Sequence, residues 1–68
     1  MVKISLAAAR VNAGLSQKQA AEKLKISNKT LGNWENGKAY PNVMQMNNIC
    51  ELYSIPYDNI ILLPNKPL

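Results

Sequence analysis

The side chains of this sequence best suited to directed hydrogen bonding gather in one short stretch, SNKTLGNWENG, from Ser27 to Gly37. Asn28, Lys29, Asn33 and Asn36 offer amide and ammonium groups, and Gly32 sits among them with no side chain at all. At about 100° per residue these five share one polar arc of about 140° on a helix, with Thr30, Leu31 and Trp34 opposite and Glu35 on the border. Asn can pair bidentately with adenine N6 and N7, and Lys can donate to guanine O6 and N7, so the arc suits the major groove of duplex DNA. A glycine costs a helix roughly 0.8–1 kcal/mol relative to alanine, and its place within the arc fits a face that approaches its ligand closely. The plain alternative is a short solvated helix face carrying polar residues.

Competing chemistries find few residues to use. There is no His, and Cys50 is alone, so a Cys/His zinc site and an intramolecular disulfide are both excluded. No paired carboxylates and no phosphate-cradling loop are present, so no enzyme, metal, cofactor or small-molecule substrate is expected. The longest apolar run, Ile60 to Leu63, falls far short of the ~20 residues of a membrane span, and the N-terminus lacks the apolar core of a signal peptide. A cytoplasmic chain with no membrane partner is expected.

Charge points the same way as the polar arc. The net charge is +4, and between Ser16 and Pro41 Lys18, Lys23, Lys25, Lys29 and Lys38 face only Glu22 and Glu35, a local excess of +3. After Pro41 the balance is slightly acidic, Lys66 against Glu51 and Asp58. A basic middle favours an anionic partner, nucleic acid before membrane, although small domains also carry such an excess for solubility.

The elements that must position the arc are helical. Sixty-eight residues make one domain, 1–68, with a small core. Ser5 can cap a first helix from about Leu6 to Asn12, ended at Gly14. In LSQKQAAEKL, Ser16 is an N-cap, Gln19 completes a capping box, and Leu15 can staple onto Ala20. Only Lys25 and Ile26 separate Leu24 from the next cap, Ser27, so helices two and three turn sharply on each other as a helix-turn-helix over about 16–37. Pro41 and Asn42, with Gln45 at N3, open a fourth helix whose inner stripe holds Met46, Ile49, Cys50 and Tyr53. There Cys50 reads as an inert thiol. A short fifth helix is expected after Pro56, with a tail over 63–68, and no segment has strand periodicity.

With these residues in place, the chain resembles the Cro and lambda-repressor type of helix-turn-helix DNA-binding domain, the xenobiotic-response-element family of many phage and bacterial regulators. The resemblance covers Ile4 to about Leu62. It rests on R-x-x-A-G-L-S-Q from Arg10 to Gln17, on Ala21, Leu24, Ile26-Ser27 and Thr30-Leu31, on W-E-N-G-K from Trp34 to Lys38, on Pro41, and on I-C-E-L-Y-S-I from Ile49 to Ile55. It implies an all-α, compact five-helix fold in which the second helix crosses the phosphate backbone and the third enters the major groove. Position by position, it makes Asn28, Lys29 and Asn33 the base readers, with Gly32 at the point of close approach. Gln17, Asn36, Lys38 and Tyr40 correspond to phosphate contacts, and Arg10 with Glu35 to an ion pair tying the first helix to the third. Two departures stand out: Lys25 occupies a turn position where the family often has Gly, and Pro56 replaces the usual Ser cap of the fifth helix.

The function so implied is that of a sequence-specific regulator of transcription, a phage- or prophage-type repressor that binds double-stranded DNA as a homodimer on a two-fold operator. Ile60, Ile61, Leu62 and Leu63 are the expected dimer contacts, packing into their own core being the alternative. The rival reading is a protein-binding module of the same fold, such as an antitoxin or a regulator's partner.

Overall fold

Every α-helix start is closed by the residue that the sequence provides for it. In the computed structural model, which describes residues 3–62, Ser5 Oγ accepts the Ala8 N–H at 3.1 Å and opens α1, Leu6–Asn12. Ser16 and Gln19 form a reciprocal capping box at 3.1 and 2.8 Å and open α2, Gln17–Leu24. Ser27 Oγ accepts from Thr30 N–H at 3.0 Å and opens α3, Asn28–Asn36. A second box, Asn42 with Gln45, opens α4, Val43–Tyr53. Such caps contribute about 1 kcal/mol each, a large share of what so small a domain can accumulate.

The corner between α2 and α3 is built on Lys25, which adopts the left-handed conformation, φ 60° and ψ 42°. Its N–H and that of Ile26 close the last turn of α2, Ile26 reaching the Ala21 carbonyl at 3.0 Å. A lysine there carries the steric cost that glycine would avoid. The departure from the family pattern thus keeps the turn and leaves strain in it.

α2 packs on α3 and α4, while α1 reaches α3 and α4 from the other side. Leu6, Ala9, Ala20, Ala21, Leu31, Trp34, Met46, Ile49 and Tyr53 form the buried core. Ala20 and Ala21 keep α2 thin where its neighbours lie close, and Leu31 and Trp34 turn the apolar side of α3 inward. Burying a side chain such as Leu31 or Ile49 contributes about 1.5–3 kcal/mol. Cys50 is half-buried, and burial pushes its thiol pKa up, away from the reactive thiolate.

The C-terminal part differs from expectation. In place of a fifth helix there is one 3-10 turn, Tyr57–Asn59, followed by a short strand. Pro56 makes no side-chain cap, so nothing satisfies the free N–H groups of a longer helix. The β-branched pair Ile60–Ile61 then runs extended as β2, parallel to β1, Ile4–Ser5, with Ile4 opposite Ile60 and Ser5 opposite Ile61. Two residues per strand are too few to show a period, so sequence pattern alone could not reveal this pairing. Ile60 and Leu62 are half-buried against the core and Ile61 is half-buried as well. Leu63, the fourth expected dimer contact, lies outside the described residues, as does the tail.

Candidate nucleic-acid interface

α3 presents the polar arc as the periodicity requires. Asn28, Lys29 and Asn36 are exposed, and Asn33 and Gly32 are half-buried. Trp34, the one aromatic on the helix, is 4% exposed and belongs to the core, so it is unavailable for stacking on a base. Gly37 ends the helix at φ 78°, a conformation that suits glycine, and its neighbour Lys38 donates its N–H to the Asn33 carbonyl at 2.9 Å. The chain therefore leaves α3 with Lys38 and Tyr40 exposed just beyond the arc.

The start of α2 is locked to α3 through one carboxylate. Arg10 Nε donates to Glu35 Oε2 at 2.8 Å and Arg10 Nη2 to Glu35 Oε1 at 3.4 Å, in a pair whose side chains are 15% and 6% exposed. The hydrogen bond with Glu35 raises the Arg10 pKa against the opposing effect of burial, which favours the charged guanidinium. The expected ion pair between the first and third helices is present. It is also larger than a pair: Arg10 Nη1 donates to the Leu15 carbonyl at 3.0 Å, and Gln17 Nε2 donates to Glu35 Oε1 at 3.1 Å.

Gln17 is thus not a free arm. Its side chain lies over α3, where a Cβ added to Gly32 would meet the Gln17 amide at 3.6–3.9 Å, an ordinary contact. Gly32 faces Gln17 in the free chain, and alanine would fit there without a clash. Residue spacing could not show this contact, because it joins side chains from two helices; the only hint was a glycine on α3 opposite a long polar residue at the start of α2.

Tyr53 completes the surroundings of the ion pair. Its pKa is pushed up to about 12, by burial first and then by the Glu35 charge, with Arg10 pulling the other way. Its hydroxyl is buried with no hydrogen-bond partner among the described residues.

Two helices joined by a sharp left-handed turn, the second carrying an exposed polar arc, define the motif, and the helix-turn-helix domain family matches residues 4–66. The chain belongs to that helix-turn-helix family. Its similarity extends to the HTH-type transcriptional activator BcrR of Enterococcus faecalis, with 35% identity over 52 residues. That alignment takes in 76% of this chain and 26% of the relative, so the chain spans about a quarter of the relative's length. No solved structure matches the chain. As a helix-turn-helix domain it carries the motif for binding DNA. No helix among the described residues is long and apolar enough to cross a membrane.

Proposed function

We propose that the protein is a sequence-specific DNA-binding regulator of transcription in which α3 enters the major groove. The observation that carries this reading is the arc on α3, with Asn28 and Lys29 exposed and Asn33 half-buried beside them, while Leu31 and Trp34 on the other side of the same helix are buried. In this reading those three residues contact base edges, and Gly32 lets the helix sit deep. Gln17, Asn36, Lys38 and Tyr40 hold phosphates on either side. The Enterococcus faecalis relative is a transcriptional activator, which supports regulation of transcription and leaves its sign open. The resemblance to phage and prophage regulators is what supports a repressor role of that kind here.

One such module covers little DNA, so the operator-bound form is a homodimer on two half-sites about one helical turn apart. Ile60, Ile61 and Leu62, each only half-buried within the single chain although Ile60 and Leu62 also pack on its core, are the proposed contacts. Selection of bound fragments from a random duplex library tests the reading directly. A symmetric site with half-sites about 10 base pairs apart supports it, and recovery of no preferred sequence overturns it.

A protein-binding role has one observation in its favour. Val43, Met44 and Tyr57 are 79%, 73% and 61% exposed, and Val43 and Tyr57 line an apolar groove with Pro41, Met46 and Leu62. An apolar interface responds weakly to salt, whereas binding through phosphates weakens steeply, which separates the two readings.

A further inference from the structure

We infer that Glu35 is a positioning residue for DNA binding, holding the amide of Gln17 in the orientation in which it donates to a phosphate. The inference rests on the reading of Gln17 as a phosphate contact and adds to it the group that orients Gln17. Glu35 is an acceptor only, so the atom of the Gln17 amide turned toward it at 3.1 Å has to be Nε2. That nitrogen carries two hydrogens. One is used by Glu35, and the second has no acceptor among the described residues.

The arrangement reaches further than one side chain. Arg10 holds Glu35 with two nitrogens and uses its third to hold the Leu15 carbonyl, one residue before the Ser16 cap. Arg10 and Glu35 therefore grip the start of α2 at its backbone and at its first side chain together. A free glutamine has several rotatable bonds to freeze when it meets a phosphate. Here that freedom is lost on folding, before DNA arrives, which is the general route by which preorganisation strengthens binding. The ion pair thus serves recognition as well as stability.

The test replaces the pair with apolar residues of similar size, Arg10→Met with Glu35→Leu. The exchange leaves net charge at +4, removing one cation and one anion, so general attraction to DNA is kept. Exchanging a buried ion pair for apolar residues is often neutral or stabilising, so the variant should fold. Affinity is read on random-sequence duplex DNA by anisotropy. In the native background Gln17→Ala should weaken binding about tenfold, the worth of a hydrogen bond to a charged group. In the apolar background the same substitution should cost less than about twofold, because Gln17 no longer starts out fixed. Equal losses in both backgrounds overturn the role of Glu35 while leaving DNA binding intact. A wild-type chain that binds no duplex overturns the DNA reading itself. A measurement needing no variant also bears on it: nitrogen relaxation of the Gln17 side-chain NH2 in the free protein should show order close to that of the backbone. A freely rotating amide there overturns the inference.

Discussion

At the scale of single residues, Gly32 and Tyr53 make opposite statements. Gly32 lies within the arc, yet the space its Cβ would fill ends in ordinary contact with the Gln17 amide. Gly32→Ala should therefore stabilise the free fold by roughly 0.5–1 kcal/mol, seen as a melting temperature several degrees higher. The same variant should bind DNA more weakly, because its methyl group projects from the proposed contact face; unchanged affinity would assign the glycine to no role in approach. Tyr53 carries a hydroxyl that is buried and unpartnered among the described residues, so Tyr53→Phe should be at least as stable as wild type at neutral pH. Its phenol pKa stands at about 12 in the fold, above the ordinary ~10 of the unfolded chain. A raised folded value means that its contribution is whole below pH ~10 and is lost as pH rises through about 12, a loss of roughly 2–3 kcal/mol. Chemical denaturation across that window should show a shallower decline for Tyr53→Phe than for wild type.

At the scale of elements, the most informative place is the corner between α2 and α3. Lys25 holds a left-handed conformation with a β-carbon, at a steric cost of roughly 1–2 kcal/mol, of which glycine would return about 0.5–1 to the entropy of the unfolded chain. Lys25→Gly should thus raise stability by about 0.5–1 kcal/mol, measurable by urea denaturation, with little change in DNA affinity because Lys25 is not a proposed contact. The strain was legible beforehand, since it follows from one residue type in one turn. So were the four α-helices of the described residues, because Ser5, Ser16, Ser27 and Asn42 are local signals whose partners lie three residues away. The end of the chain was not. Pairing of Ile4 with Ile60 joins residues from opposite ends, and no periodicity in either pair announces it. The same limit hid the bond between Gln17 and Glu35, whereas the arc itself, confined to one helix, could be read directly.

At the scale of the whole molecule, one ion pair ties α1 to α3. Arg10 on α1 and Glu35 on α3 are partly buried, and deleting one partner leaves the other charge unpaired at a partly desolvated position. Glu35→Ala should cost about 1.5–3 kcal/mol, a large part of the stability of a domain this small, and calorimetry or circular dichroism would register it. Arg10→Ala should cost a similar amount, and the two losses should fall well short of adding in the double variant, since the second deletion leaves no stranded charge. Losses that simply add would mean that the pair contributes little beyond its separate contacts. Binding offers the last test at this scale. Among the proposed contacts only Lys29 and Lys38 are charged, so a dimer displaces about four counterions and its affinity should fall on the order of 100-fold between 50 and 200 mM salt. The slope should be shallower for Lys38→Ala, by about one counterion per subunit, and unchanged for Gln17→Ala, whose neutral amide displaces none. A salt response close to zero, together with binding to a protein partner lost on substituting Val43 or Tyr57, would move the function from the arc on α3 to the apolar groove beside α4.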